Sequence, residues 1–477
     1  MVQMKLLMLI YILALTFGEA VWVAGLQFLI QGSEGLYNLP SSQSGLYAVA
    51  FFSGQLVSCL MFGYLADKSG RRHALLCTMS LTLFAGFSTT LAPVSHSSPF
   101  GFVPLLLFCV LQGFGVGGAI PVTQSLVVEC FQVHNRGFYT CLASLGWPIG
   151  SLITTVLAWL IFPNVPTSST SLSPSTSFPE GWTLVLLTQT SSGANYWPYL
   201  YIALSALHLV VLLLVYMYLP ESPKFKKKGS SMDQTDRTDS SSSPSIKRSP
   251  SITISSSLCK TFLLLGIVWF AVSSSGNGFS TYLPILLSER AKTSNHTAPH
   301  GLPEPSVFTS LILFSAIGVP GVIAAAYAVE SAVLGRKWVV FGSTFSAAVS
   351  FMVFLFSSNT WVVVAASCVQ NFVVQISWAS VVCLTSEAPP TTHRARVVGG
   401  ANFIKAFSGI FGPYICGVFA SSDPSLPILC FAAVMFAASF AACLLPQDKR
   451  GMELIDSFEE DGGGETIKGD QMQSPLL

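Results

Sequence analysis

Twelve apolar stretches, each long enough or nearly so to cross a bilayer, run along this chain. They lie at 4–30, 42–66, 72–93, 102–128, 137–162 and 197–219, then at 260–285, 305–329, 338–356, 360–385, 397–420 and 425–445. An α-helix rises 1.5 Å per residue, so about 20 residues cross the roughly 30 Å of membrane hydrocarbon. In lipid every backbone polar group must be bonded inside the protein, which for segments of this length leaves the helix. The expectation is an all-α membrane protein of twelve transmembrane helices. Of its 477 residues 51% are hydrophobic and 9% charged, against about 25% charged in soluble domains. That is too little charge to clothe a water-exposed surface of this size.

Six spans fall on each side of one polar stretch, Pro220 to Ser257, rich in Ser, Asp, Lys and Arg. Such a composition cannot bury a core. The expected organisation is a six-helix bundle at 1–219, a disordered cytoplasmic linker at 220–258, a second six-helix bundle at 259–445 and a cytoplasmic tail at 446–477. Lys5, the run Leu6 to Leu15 and the small Ala20 imitate a signal peptide. The apolar run continues to Ile30, however, so an uncleaved first span is expected.

Charge orients the chain. With both termini in the cytoplasm, all of the 23 Lys and Arg residues except Arg290, Lys292 and Lys405 fall on the cytoplasmic side, as the positive-inside rule requires. The sequon Asn295-His296-Thr297 then lies outside, as a glycosylation acceptor. Plasma membrane and an internal or vacuolar membrane both suit this pattern. Basic residues in short isolated clusters make no nucleic-acid surface. The eleven cysteines lie in or at the ends of apolar segments with no CxxC or Cys/His spacing, so neither a disulfide framework nor a metal site is expected. No phosphate loop, His-Glu-x-x-His or Gly-x-Ser-x-Gly is present. No enzyme, ATP-driven pump or cofactor is expected.

The halves echo each other roughly 260 residues apart. Span two runs into Gly63-Tyr64-Leu65-Ala66-Asp67-Lys68-Ser69-Gly70-Arg71-Arg72, and span eight into Glu330 and then Gly335-Arg336-Lys337. Glu129 precedes Arg136 by seven residues, as Glu387 precedes Arg394. Gly146-Trp147-Pro148 in span five is matched by Gly412-Pro413 in span eleven. Gly63 is expected to let helices approach closely. The charged groups are expected to form pairs that close in one state and open in another, against the plainer reading of topology signals and lipid-headgroup anchors.

These residues carry a family resemblance. Gly63 to Arg72 resembles the signature loop of the major facilitator superfamily, and Gly335-Arg336-Lys337 its worn second copy. Leu219-Pro220-Glu221-Ser222-Pro223 resembles the Pro-Glu-Ser motif of sugar porters, organic ion transporters and synaptic-vesicle-glycoprotein-like carriers. Gly113 to Pro121 and Pro446 to Gly451 fit that subgroup, while Trp197-Pro198 and Gln447-Asp448 depart from it. The resemblance implies two pseudo-symmetric six-helix bundles and a central cavity among spans one, four, seven and ten. It further implies a monomer that moves a small organic solute by alternating access, as a uniporter or proton symporter. The alternative is a solute sensor or trafficking protein that kept the fold.

Polar groups inside a membrane are costly and mark function. Glu19 lies mid-span with Trp22 and Gln27 nearby, and Lys405 lies one turn beyond Asn402. Glu19 is the candidate for proton coupling, or else a solvated group or one paired with a polar neighbour. Lys405 either holds an anionic solute, forms a structural ion pair or snorkels to the cytoplasmic surface. Gln112, Gln124, Asn277, Asn371, Gln375 and Trp378 complete the solute candidates, with Gln55 as a further cavity residue. Each is equally readable as a helix-packing contact. Gly276-Asn277-Gly278 sits inside span seven, where a broken or flexible helix is expected to serve gating.

Overall fold

The computed structural model describes residues 2–37, 41–91, 102–131, 136–162, 197–221, 256–293, 306–331, 334–387, 394–419, 423 and 425–445. Thirteen helices form within them. In chain order they are α1 (Val2–Tyr37), α2 (Ser41–Ser69), α3 (Arg71–Thr90), α4 (Val103–Cys130), α5 (Arg136–Ala143), α6 (Gly146–Ile161) and α7 (Trp197–Tyr218). Then follow α8 (Ser256–Thr293), α9 (Val307–Glu330), α10 (Gly335–Phe356), α11 (Thr360–Glu387), α12 (Arg394–Phe419) and α13 (Ser425–Cys443).

Helices α5 and α6 are one span with a turn in it. Pro148 has no N–H to give the Ser144 carbonyl four residues back, and that carbonyl accepts from Trp147 instead, at 3.1 Å. The twelve resulting rods coincide with the twelve apolar stretches. Ten are long and apolar enough to cross a membrane by length and composition alone. The other two are α3, which opens on Arg71-Arg72-His73, and α12, which carries Arg394, Arg396 and Lys405. Of the broken or flexible helix expected at Gly276-Asn277-Gly278 the break is absent, since α8 runs unbroken through it; the interruption falls in the fifth rod, where proline forces it.

Helix pairings repeat between the halves. In the first six rods α2 packs on α4, α3 on α4 and α7, and α1 on α6 and α7. In the last six, at matching places, α9 packs on α11, α10 on α11 and α13, and α8 on α12 and α13. Two seams join the sets: α2 against α12, and α5 and α6 against α9. Exchanging the halves turns one seam into the other, the signature of a pseudo-twofold axis.

Without a hydrophobic drive between helices in lipid, close backbone approach supplies much of the packing. A Cβ at Gly113 would overlap the Phe51 carbonyl, one at Gly54 the Val110 carbonyl, and one at Gly412 the Ser274 carbonyl. Gly63 does none of this. Nothing lies within 4 Å of where its Cβ would be, so the expected close approach at Gly63 is corrected: that face of α2 looks onto open space. Phe51 and Phe52 are buried in the core.

Candidate functional site

Two cavities lie one above the other along the seam. The larger, about 100 Å³, is lined by α1, α6, α8, α9 and α11. Helix α1 contributes Gln27, α6 Trp147 and Ser151, and α8 Asn277, Ser280 and Thr281. Helix α9 adds Phe314 and Ser315, and α11 adds Gln370, Asn371, Gln375 and Trp378. Several of these groups are held from behind. Asn371 Nδ2 donates to the Phe314 carbonyl at 2.6 Å, and its Oδ1 accepts from Gln375 Nε2 at 3.4 Å. Asn277 Nδ2 donates to Ser273 Oγ at 3.1 Å, and Ser273 Oγ to the Lys405 carbonyl at 2.7 Å.

The smaller cavity, about 30 Å³, has room for a water or so. Glu19, Thr123, Gln124 and Lys405 line it. Thr123 Oγ1 donates to Glu19 Oε1 at 3.4 Å, and the Glu19 and Lys405 charges interact. Both residues are buried, at 5% and 4% exposure, on rods from opposite halves. The Lys405 ammonium lies 4.7 Å from the Trp378 ring centroid and 5.3 Å from that of Trp147, within cation–π range. Trp378 is itself braced edge-on by Trp269, whose Nε1 donates to Thr385 Oγ1 at 2.8 Å.

Residue order along the helices fixes the stacking. Thr16 and Glu19 line the smaller cavity and Gln27, further along α1, the larger. On antiparallel α11 the order reverses, from Gln370 in the larger to Val382 in the smaller. The smaller cavity therefore lies toward the end where α1 begins. Trp147 and Trp378 line both cavities, 6.1 Å apart, and form the partition between them.

The end where α1 begins is tied across the seam. Asn402 Nδ2 donates to Gln124 Oε1 at 2.9 Å, joining α12 to α4. Glu330 at the end of α9 accepts from the Phe138 backbone N–H at 3.2 Å and sits 3.8 Å from Arg336. Arg136 and Arg336 are both buried here and feel each other's charge. Within the first half, the Glu221 carboxylate accepts from the N–H groups of Arg71 at 2.8 Å and Arg72 at 3.2 Å, satisfying orphan donors at the start of α3. Arg72 Nη2 donates to the Tyr216 carbonyl at 2.6 Å, and in the second half Lys337 Nζ donates to the Leu445 carbonyl at 2.7 Å. Gly70 (φ 97°) and Gly335 (φ 63°) precede these basic pairs, both in the left-handed region that favours glycine. At the opposite end, Phe28, Phe162 and Phe308 form a cluster with centroids 6.0–6.4 Å apart, again joining the halves.

Glu19, Gln124, Asn277, Asn371, Gln375, Trp378 and Lys405 are thus brought together along the two cavities, with Asn402 bonded to one of them. Trp22 and Gln112 are corrected. Trp22 turns away from both cavities into the space between α1, α3 and α7, against Gly86, Tyr201 and His208. Gln112 and Gln55 are buried but line neither cavity. The side chains of Asp67, Glu129, Glu387 and Arg394, and all of Asn295, lie outside the described residues. The sequence reading did not single out Trp147, Thr123 or Gln370 as site residues. For Trp147 a signal existed, since it sits in the Gly-Trp-Pro run that interrupts the fifth rod.

The sequence profile described as Major Facilitator Superfamily matches residues 7–332 and 312–471. The chain belongs to the Major Facilitator Superfamily. Within the superfamily it is 23% identical over 470 residues to organic cation/carnitine transporter 7 of Arabidopsis thaliana, covering 92% of this chain and 91% of that protein. It is 30% identical over 213 residues to synaptic vesicle glycoprotein 2C of Homo sapiens, covering 44% of this chain and 25% of that protein. The solved xylose transporter XylE of E. coli, in an inward-open conformation, shares the fold. Its TM-score is 0.67 at 14% identity, over 93% of this chain and 97% of that one. This superfamily member is accordingly a multi-pass membrane protein, in a family whose matched relatives include proteins named as transporters.

Proposed function

We propose that this superfamily member is a secondary transporter that moves a small organic solute by alternating access, with Glu19 as its proton-binding coupling residue. The observation that carries the reading is the placement of Glu19 and Lys405. They are opposite charges, on rods of opposite halves, in one small buried cavity. With both charged, their attraction favours the state in which this end is closed. A proton on Glu19 cancels the attraction and leaves Lys405 in the company of two tryptophan faces rather than unpartnered. Protonation and the opening of this end are then linked, because each changes the free energy of the other.

In this reading the rods of 1–219 and of 259–445 rock as two bundles about the larger cavity, connected by the segment 220–258. Glu330, Arg336 and Arg136 close one end of the pathway, supported by Arg71, Arg72 and Lys337. Gly70 belongs to the same elements, with Asp67, Glu129, Glu387 and Arg394 from their sequence positions. That end faces the cytoplasm with both termini and the tail 446–477. Asn295 faces the other side, and the protein works as a monomer in the lipid bilayer. The test is uptake into proteoliposomes with and without a proton gradient, screening sugars, carboxylates, amides and organic cations, with Glu19→Gln beside wild type. Gradient-driven uptake that collapses in Glu19→Gln supports the assignment. Gradient-independent uptake that ignores the substitution removes Glu19 from the coupling role, and no uptake of any probe favours a sensor.

A further inference from the structure

Resting on the transport reading, we infer that the larger cavity takes an uncharged, hydrogen-bonding solute with one flat or apolar face, and that the Trp147–Trp378 partition keeps the charged pair out of its reach. Among the described residues that line this cavity there is no Asp, Glu, Lys, Arg or His. A charged solute brought into a buried chamber needs a countercharge there or suffers a large desolvation cost. The opposite charges of Glu19 and Lys405 line the other cavity, and the Lys405 ammonium is turned onto the two rings that separate them.

What the chamber does offer is neutral and directional. Its polar lining consists of amides and hydroxyls from both halves. One amide N–H of Asn277 and one of Asn371 are engaged behind the wall, by Ser273 Oγ and by the Phe314 carbonyl. This leaves Asn277 Oδ1 as an acceptor and the second N–H of each amide as a donor, beside the amides of Gln27 and Gln370, and suits a solute that both donates and accepts hydrogen bonds. The two tryptophans and Phe314 provide the surface on which a flat or apolar face rests. Size narrows the class further. An apolar cavity of roughly 150 Å³ holds one benzene, so about 100 Å³ admits no more than one small ring before the halves part.

The chamber's charge preference is measurable without knowing the solute. The full chain carrying Ser315→Cys is reconstituted in proteoliposomes and treated with three methanethiosulfonates of similar size. One bears a neutral hydroxyethyl group, one a trimethylammonium and one a sulfonate. Peptide mass spectrometry reads the rate at position 315 apart from the native cysteines, and each rate is normalised to that of a free small thiol. Ser280→Cys is run in parallel, in case Ser315 is needed for folding. The expected result is a normalised rate for the neutral reagent at least ten-fold above both charged ones. Adding Trp378→Ala, which opens the partition toward Lys405, is expected to raise the sulfonate rate selectively. Either charged reagent matching the neutral one overturns the inference and leaves the transport reading intact. Failure of all three reagents at both positions means no solute reaches the chamber, which overturns both.

Discussion

The Glu330 carboxylate accepts a hydrogen bond from the Phe138 backbone N–H at 3.2 Å, although the two residues lie on different halves of the protein. The acceptor ends α9, and the donor sits in the first turn of α5, where N–H groups have no partner inside the helix. Glu221 serves the start of α3 in the same way but within one half, bonding Arg71 and Arg72. One kind of contact therefore appears twice with different consequences: at α3 it fastens a bundle together, at α5 it fastens one bundle to the other.

Replacing Glu330 by Gln keeps an acceptor and removes the charge. A charge at a helix N-terminus is worth roughly 0.3–1 kcal/mol, up to about 2 when partly buried. The open population at this end is expected to rise by about 2- to 30-fold on that basis. Electron–electron distance measurements between spin labels at the ends of α5 and α9 read this, and an unchanged distance distribution contradicts it.

Glu221→Ala acts inside one bundle. Loss of the acceptor for the Arg71 and Arg72 N–H groups is expected to cost roughly 0.5–2 kcal/mol, the range for a lost helix cap. Hydrogen exchange is expected to quicken in the first turn of α3 and not at α5. Equal quickening at both ends is the contrary result.

Lys405→Gln leaves the Glu19 carboxylate buried without its countercharge. Breaking a buried pair from one side costs on the order of 3 kcal/mol, so a lower melting temperature is expected in detergent. The double variant Glu19→Gln/Lys405→Gln removes both charges and is expected to recover most of that loss while remaining uncoupled to protons. A double variant less stable than Lys405→Gln alone counts against a paired relationship.

Two glycines make a matched contrast. Gly113→Ala sets a methyl against the Phe51 carbonyl, where backbone must move; a cost of about 1–3 kcal/mol or more is expected. Gly63→Ala meets nothing within 4 Å and is expected to stay within about 0.5 kcal/mol of wild type. Thermal unfolding of both variants settles the ordering.

Much of the architecture was legible because it follows from length and composition. All twelve spans announce themselves as apolar runs in the sequence, although α3 and α12 fall short of the length and composition that mark the other ten. The paired basic motifs were legible for a related reason: Gly70 and Gly335 hold backbone conformations that glycine adopts without strain, ahead of Arg71-Arg72 and Arg336-Lys337. Glu19 and Lys405 stood out because ionisable residues are rare inside spans.

The sequence by itself determined twelve helical rods, their duplication and the presence of two intramembrane charges. Only the tertiary structure decided which way each rod is turned. In a soluble helix one face is apolar and its phase can be read from the sequence. Here lipid, helix interior and cavity wall are all served by apolar residues, so the sequence does not show which way Trp22 or Trp147 faces. Packing separates them: Gly86 opens the space between α3 and α7 that receives Trp22. Trp147 emerges at the Pro148 turn, facing Trp378 and Lys405 across the seam. The partition between a neutral chamber and a charged one is a property of that rotation.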